Sequence, residues 1–409
     1  MKNIGGGKQI KKIVKQTKIK ILIILAVAII VIATGILLLA KEAAKYSLEG
    51  AVFYFKGMGE KTKLFYLEPG VSPQPLIDLP SEEVNPGKYK VPKHSYISHN
   101  GETMIYFERV EEVPMGIISE EQELMAFRII YKPNYIDLKT ELIKEIEEDI
   151  DSGGLVFSPN NKEIAWVLRV AEATVEELEA AKKKREVWLS NFDGSKARKL
   201  TALDEKVVLL QRWSGNYIYF WGIQGVGYYS LGRIDSRTGK VEYIQPKYCS
   251  EDLANCQNFR FSPSGELFIY EAGIVEENKE DNEDKKRIGL FVESFDGKKS
   301  WRILVVNYIS DRLWLPDEKY IIYTEQISKK NGKIEEKIHL VNLETGEDKQ
   351  IYSGNYISQI VPDGSNKYLY FIEKENDEKF NLVGLDIEHN QATIIDSGPY
   401  SQLKIFSDL

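Results

Sequence analysis

A long apolar run near the N-terminus stands apart from the rest of the chain. From Ile21 to Ala40 there is no charged residue, and the run is twenty residues long. A helix of about twenty residues spans about 30 Å, the thickness of the hydrocarbon core of a bilayer. A core helix of that length in a globular protein would show a polar face. The pattern therefore predicts a transmembrane helix over residues 21–41.

Charges on either side of this run predict its orientation. Seven lysines and no acidic residue precede it, so the positive-inside rule places the N-terminus in the cytoplasm. A cleaved secretory signal is the alternative, but cutting after Ala40 or Ala44 would put Leu38 or Glu42 at the −3 position, where small residues are required. We expect a single-pass plasma-membrane protein whose parts are a cytoplasmic segment (1–20), a signal anchor in the lipid bilayer (21–41), a tether (42–50) and an extracytoplasmic domain (51–409).

Beyond the tether, strand-like segments recur at a regular interval. An apolar strand, a short turn and a second apolar strand are repeated six times, and the repeats align on Ser98, Ser158, Ser214, Ser262, Leu315 and Val361. The intervals are about 46 to 60 residues, the period of four-stranded propeller blades with loop insertions. A third strand in several repeats ends in Asp-Gly or Thr-Gly, pairs that suit hairpin turns, and a fourth strand follows.

The two ends of this domain complement each other. The first unit starts with AVFYFKG at Ala51 and lacks an opening strand, whereas the chain finishes with YSQLKIFSDL from Tyr400, which has the character of that strand. Pairing the C-terminal strand into the first sheet closes a ring of seven blades and removes the open sheet edges. The predicted fold is an all-β, seven-bladed β-propeller preceded by a single transmembrane α-helix.

These repeats resemble a known family. The segments FSPNNKEIAW and FSPSGELFIY, each followed by strands ending in FDG and near KLT, are similar to the repeat of TolB-like (WD40-like) β-propellers and of the propeller half of prolyl-oligopeptidase and dipeptidyl-peptidase relatives. The resemblance covers roughly residues 50 to 409, and blades four and six depart from the motif. It implies an extracytoplasmic protein-binding module. The peptidase relatives carry their chemistry in an α/β-hydrolase domain, and this sequence has no G-x-S-x-G nucleophile motif.

The net charge of the chain indicates which class of partner it can bind. Removing the seven N-terminal lysines from a net charge of −8 leaves −15 for the remainder. An acidic domain argues against a nucleic-acid partner, because phosphate binding requires clustered Lys and Arg. The basic N-terminal segment would suit an RNA-binding arm, but the apolar run that follows it favours the membrane interpretation.

Few residues suggest other chemistry. Among His94, His99, His339 and His389, no pair has a spacing that suits zinc, and we predict no catalytic, metal or cofactor site. The two cysteines, Cys249 and Cys256, are close in sequence and predicted to lie outside the cytoplasm. A disulfide is expected there, worth about 2 to 3 kcal/mol, and the alternative is a pair of unpaired thiols.

The connections between second and third strands are long in blades two, three, five and six, and one of them, near Thr174 and Glu177, has a helix capping box. Loops on a rigid scaffold often carry binding function. We expect a protein- or ligand-binding scaffold at the cell envelope that contacts an envelope protein or peptide through these loops. The alternatives are a propeller enzyme, of the glycan hydrolase or lyase type, with its site in the central funnel, and a sensor that signals through the lysine-rich tail.

Overall fold

The computed structural model describes residues 51–406 except for short stretches at 59–60, 68–71, 81, 86–87, 91, 93, 120–123, 148–149, 169–183, 226–227, 251–254, 277–284, 307, 329–333 and 401–402. The predicted signal anchor and tether, and the helix predicted near Thr174, lie outside the described residues. Within the described part of the chain, no helix is long and apolar enough to span a bilayer.

Seven four-stranded antiparallel sheets form the described chain, and they are the blades of the predicted propeller. Each is given from its inner strand outwards. Blade one contains β30 (Leu403–Phe406), β1 (Val52–Met58), β2 (Lys61–Leu67) and β3 (Gln74–Pro80). Blade two contains β6 (Ser95–Ile97), β7 (Thr103–Ser119), β8 (Leu124–Asp137) and β9 (Leu142–Glu145). Blade three contains β10 (Ile150–Phe157), β11 (Glu163–Leu168), β12 (Arg185–Asn191) and β13 (Arg198–Leu203).

The other four blades follow in sequence order. Blade four contains β14 (Val207–Ser214), β15 (Tyr217–Gly225), β16 (Tyr228–Asp235) and β17 (Val241–Tyr243). Blade five contains β18 (Cys256–Phe261), β19 (Leu267–Glu276), β20 (Lys285–Ser294) and β21 (Ser300–Val306). Blade six contains β22 (Ile309–Trp314), β23 (Tyr320–Ser328), β24 (Ile334–Asn342) and β25 (Asp348–Gly354). Blade seven contains β26 (Ile357–Pro362), β27 (Tyr368–Lys374), β28 (Phe380–Asp386) and β29 (Gln391–Gly398), and a separate hairpin pairs β4 (Glu82–Asn85) with β5 (Lys88–Lys90).

The C-terminal strand closes the ring, as the sequence predicted. β30 pairs antiparallel with β1, with Phe53 opposite Phe406 and Lys56 opposite Leu403. Lys56 also forms an ion pair with Asp396 of blade seven. Blade one is therefore assembled from both ends of the domain, and no further strand is needed to complete its sheet.

The recurring serine shapes the turn between the first two strands of a blade. The Ser98 hydroxyl accepts a hydrogen bond from the backbone N–H five residues later, at 3.0 Å, and Ser158 and Ser262 do the same. In blade seven the corresponding residue is Asp363, whose carboxylate accepts from the N–H of Tyr368 at 3.1 Å. The alignment of blade seven on Val361 was therefore wrong by two residues, because an aspartate takes the place of the serine.

Apolar side chains fill the spaces between neighbouring blades. One cluster joins blades three and four, including Val167, Leu189, Trp213 and Phe220, and others join blades six to seven and seven to one. Aromatic and β-branched residues dominate these clusters, in keeping with their preference for pleated surfaces. From blade two round to blade one, each sheet thus packs on the next through an apolar cluster, which holds the inner strands in place around the axis.

The two ends of the ring differ. One end carries the connections between strands one and two and between strands three and four of each blade, and we call it the turn face. Its Asp-Gly and Thr-Gly turns have positive φ, 81° at Gly194 and 72° at Gly346. The opposite end, with the strand two-to-three and blade-to-blade connections, is the loop face. Part of the predicted blade-two loop is in fact strand, because β7 and β8 continue as a two-stranded ribbon with Ser119 opposite Leu124. β23 and β24 likewise extend into the predicted blade-six loop, with Ser328 opposite Ile334.

Candidate functional site

A central cavity of about 620 Å³ runs along the axis of the ring. The inner strand of every blade contributes to its wall, and the residues from successive blades include Tyr96, Val156, Gln211, Arg260, Arg312, Ile360 and Lys404. Because these seven strands are fixed by the packing between blades, the wall is largely pre-formed. Concave, pre-formed cavities of this size are the usual location of ligand sites.

Bulges interrupt many of the inner strands. The pairing of the inner with the second strand is irregular in blades three, four, five, six and seven. At two of these bulges a residue other than glycine has positive φ, Asn258 at 62° and Gln359 at 54°. A bulge leaves a residue unpaired and re-aims its side chain, and bulges are common beside binding sites. In these blades the pairing between the inner and the second strand is therefore irregular where the sheet faces the axis.

The cavity wall is rich in positive charge. Arg212, Arg260, Arg312 and Lys404 line it, and Asp311 is the one carboxylate among the described lining residues. The Arg212 Nε donates to the carbonyl of Pro263 at 2.7 Å, which fixes this guanidinium near the turn face. Arg260 is exposed to the cavity. This distribution contrasts with the net charge of −8 of the chain as a whole.

A buried ion pair supports the wall between blades five and six. Arg312 lies 2.6 Å from a carboxylate oxygen of Glu271, and their side chains are 7% and 2% exposed. Glu271 also accepts from the side-chain amides of Gln257 at 3.2 Å and Asn258 at 3.0 Å. Burial lowers the pKa of Arg312, and the Glu271 carboxylate opposes this shift. The charge of Arg312 is thus held by the scaffold, whereas Arg260 remains available to a ligand.

Two carboxyl groups lie at the junction of blades six and seven. Burial raises the pKa of Asp311, against the opposing effect of Arg312 and Arg260, and Asp311 accepts from the N–H of Arg312 at 2.8 Å. Glu336 is buried and accepts from the N–H of Ile357, and burial raises its pKa as well. Of the two, only Asp311 lines the cavity. Protonation of Asp311 would therefore increase the net positive charge of the wall.

The residues singled out in the sequence lie elsewhere or contribute little. Cys249 and Cys256 are joined by a disulfide, with their Cα atoms 5.6 Å apart, at the start of inner strand β18. His99 lines the cavity, whereas the ring of His94 packs edge-on against Tyr131 at 5.6 Å. Within the described residues, no cluster of three or more His, Cys, Asp or Glu side chains is arranged to hold a metal ion.

The cavity arginines were missed by the sequence reasoning, although a signal for two of them exists. Arg212 and Arg260 each lie two residues before the aligned serine of their repeat, in RWSG and RFSP. Equivalent positions in a propeller occupy equivalent places around the axis, so two arginines at this position predict neighbouring positive charges in the channel. Arg312 and Lys404 lie one residue earlier in their repeats, three before Leu315 and Ser407, and the structure places them in the same wall.

Comparison with known structures supports the propeller fold. A prolyl endopeptidase structure matches with a TM-score of 0.58 and 9% identity over 87% of this chain, which spans 49% of that protein. TolB from Acinetobacter baumannii matches with a TM-score of 0.42 and 12% identity, over 88% of this chain and 66% of that one. An oligogalacturonate lyase in complex with manganese matches with a TM-score of 0.48 and 12% identity, over 73% and 75% of the two chains.

The prolyl endopeptidase match confirms, at the level of the fold, the resemblance that the repeats predicted. No protein-family model and no curated protein matches the sequence. At identities near 10% the likeness concerns the fold alone, and propellers of one architecture serve both binding and catalysis. The function has to be argued from the cavity and the surface of this chain.

Proposed function

We propose that this propeller is a binding module that takes an acidic ligand in its central channel, and that residues 21–41 anchor it in the plasma membrane with the propeller outside. The single observation that supports the ligand class is the cavity wall, where the described residues include Arg212, Arg260, Arg312 and Lys404 but one carboxylate, Asp311. A cleft lined by charges of one sign, with walls of low dielectric, concentrates the field and attracts ions of the opposite sign.

The contrast with the rest of the molecule strengthens this proposal. The chain has a net charge of −8, so it does not need positive charges inside a channel to remain soluble. Keeping like charges together in a confined space is unfavourable unless a counter-charge joins them. Glu271 already balances the charge of Arg312 within the scaffold, so an anionic ligand would act as the counter-charge of Arg260, whose exposed guanidinium has the donors to bind a carboxylate or phosphate through two hydrogen bonds.

The wall favours binding over hydrolysis of a glycan. Glycoside hydrolysis uses two carboxyl groups that flank the bond to be cleaved. The described wall offers Asp311, which is engaged by the N–H of Arg312, and the nearby Glu336 accepts from the N–H of Ile357. We therefore rank the scaffold role above a glycoside hydrolase, and ligand binding without turnover is the assay that separates a binding module from any enzyme, a lyase included.

The ligand class is tested with the full-length chain in detergent, titrated with a short polyglutamate peptide and with polylysine of equal length. Polyglutamate is expected to bind and polylysine is not. Arg260→Glu should weaken polyglutamate binding by at least about tenfold, because it reverses a charge in the confined wall. The matched control is Arg302→Glu, an exposed arginine on the outer strand of the same blade. Equal losses in the two variants would contradict a site in the channel.

The anchor is tested separately. The full-length chain is expected to stay with membranes during alkaline carbonate extraction, and deletion of residues 21–41 is expected to release it. Protease added outside intact cells should reach the propeller. Release of the full-length chain by carbonate would refute the anchor and leave the ligand class untouched.

A further inference from the structure

Bulges on two neighbouring inner strands meet in the wall of the channel. Gln211 in β14 has no partner in the register with β15, and Asn258 and Phe259 in β18 have none in the register with β19. A bulge leaves residues unpaired and re-aims their side chains. Polar groups at these positions therefore have to find hydrogen-bond partners outside the ladder, because buried backbone groups are almost always paired.

The carbonyl of Phe259 brings two side chains together. The side-chain amide of Gln211 donates to this carbonyl at 2.8 Å, and the guanidinium of Arg260 reaches the same oxygen at 3.4 Å. The amide and the guanidinium are therefore neighbours, although they come from different blades. Both residues line the channel. The indole N–H of Trp314 donates to the Arg260 carbonyl at 3.1 Å, so blade six holds the backbone of this arginine in place.

One atom of this group has no hydrogen-bond partner. A carbonyl accepts only from the nitrogen of a glutamine amide, so the bond to Phe259 fixes which end of the Gln211 side chain faces away from it. That end is Oε1, which is buried and has no partner among the described residues. An unpaired buried acceptor is unfavourable, so a ligand that donates to it gains affinity. Because Gln211 lines the channel, a ligand there can supply the donor.

The cation beside this acceptor is available to a ligand, and apolar surface lies on both sides of it. Arg260 is exposed, whereas Glu271 balances the charge of Arg312. Leu209 of blade four and Leu313 of blade six also line the channel, and both are half-buried. Blades four to six therefore combine a guanidinium, an unpaired acceptor and apolar side chains in one part of the wall.

We propose that this part of the channel binds the free C-terminus of a peptide chain that ends in an apolar residue. The proposal rests on the acidic-ligand function proposed above and makes the ligand specific. The terminal carboxylate binds the guanidinium of Arg260 through charge-assisted hydrogen bonds. The amide N–H of the same residue, separated from the carboxyl carbon by Cα alone, donates to Gln211 Oε1. Its apolar side chain contacts the leucines of the wall, and capture of a terminal carboxylate is a known mode of peptide recognition.

Other anions match this part of the wall less well. A phosphate group carries no N–H beside it. The side-chain carboxylates of aspartate and glutamate are further from the backbone N–H than a terminal carboxylate is, so an internal acidic residue does not reproduce the spacing. A uronate sugar has hydroxyl donors near its carboxylate but no apolar side chain for the leucines. An N-acylated amino acid carries the same three groups as a peptide terminus, and the test therefore separates these two sources.

The test titrates the full-length chain in detergent with an acetylated peptide of four glycines and a terminal leucine, as the free acid and as the C-terminal amide. Amidation should weaken binding by at least about tenfold, because it removes the charge that faces Arg260. Methylation of the leucine nitrogen in the free acid removes the donor to Gln211 and should weaken binding by about tenfold. N-acetylleucine should bind more weakly than the peptide, because it lacks the preceding residues.

Gln211→Leu tests the acceptor directly. It should weaken binding of the free-acid peptide about as much as N-methylation does, and N-methylation should have little further effect in this variant, because both changes remove the same hydrogen bond. A purely structural role for Gln211 would weaken both peptides equally. The matched control is Gln350→Leu, since Gln350 is exposed on the outer strand of blade six, and this variant should bind like the parent.

Three results would overturn the proposal: the amide binding as tightly as the free acid, N-methylation having the same effect in Gln211→Leu as in the parent, or N-acetylleucine binding as tightly as the peptide. Polyglutamate with an amidated C-terminus separates this proposal from the acidic-ligand function. If it binds and loses affinity in Arg260→Glu while the free-acid peptide does not bind, the acidic-ligand function stands and the C-terminal assignment is wrong. If neither binds, both are wrong.

Discussion

Removing one partner of the buried ion pair between blades five and six is expected to destabilise the ring strongly. In Arg312→Met, the Glu271 carboxylate keeps its amide donors, Gln257 and Asn258, but loses the cation that lies 2.6 Å away. Both side chains of the pair are almost fully buried, so water solvates the remaining Glu271 carboxylate poorly. Leaving one charge of a buried pair uncompensated costs about 3 to 5 kcal/mol of the free energy of unfolding.

A double variant and a surface control make this prediction sharp. Arg312→Met combined with Glu271→Gln removes both charges and keeps an acceptor for Asn258, so it should recover at least about 2 kcal/mol of the loss. Lys132→Met breaks a pair of similar length, 2.7 Å to Glu145, whose side chains are 53% and 54% exposed. It should cost far less than Arg312→Met, because solvent screens an exposed ion pair.

Equilibrium unfolding in urea, followed by tryptophan fluorescence, measures all three variants against the parent. The reasoning is refuted if Arg312→Met costs no more than Lys132→Met. It is refuted equally if the double variant is as unstable as the single one, since the penalty would then come from lost packing rather than from an unpaired charge.

Three further predictions follow from the ring. Replacing residues 277–284 with Asn-Gly, which joins the paired ends Glu276 and Lys285, should leave the melting temperature nearly unchanged, and a large drop would show that the segment packs on the ring. Deleting 400–409 should expose the edge of β1 and cause aggregation on size-exclusion chromatography, whereas deleting 407–409 should not. Binding of a sulfated ligand, which stays ionised, should strengthen as pH falls from neutral, because burial raises the pKa of Asp311 and its protonation removes a negative charge from the wall. Asp311→Asn should bind this ligand tightly throughout the pH range. The same pH profile in Asp311→Asn as in the parent would contradict this explanation.

The architecture could be predicted from the sequence because the same pattern recurs in successive blades. Each blade shows the same alternation of strand and turn, and the serine that caps the first turn, as in Ser158 and Ser262, marks the register. Closure of the ring by β30 was predicted because the first unit of the domain lacks an opening strand and the C-terminus has an additional one. These inferences need only local patterns and counting, and errors such as the two-residue shift at Val361 do not change the topology.

The candidate sites were largely inaccessible because they depend on where the blades place single residues. Arg312 and Lys404 each lie three residues before the aligned position of their repeat, Leu315 and Ser407, one residue earlier than Arg212 and Arg260, and the structure shows that all four line the axis. The blade-two ribbon was taken for a loop because its acids, Pro114 and Gly116 are poor strand formers, and pairing between β7 and β8 overrides that preference.

The place where the chain enters the ring determines how the domain resists a mechanical load. Residue 51 leads directly into β1, which is hydrogen-bonded on one side to β30 and on the other to β2. A force applied along this strand from its N-terminal end loads two ladders in parallel, in shear, so their hydrogen bonds break together instead of one after another. Had the chain entered through an edge strand, a single ladder would bear the same tension. This point of entry makes the domain suited to holding its position while something pulls on it.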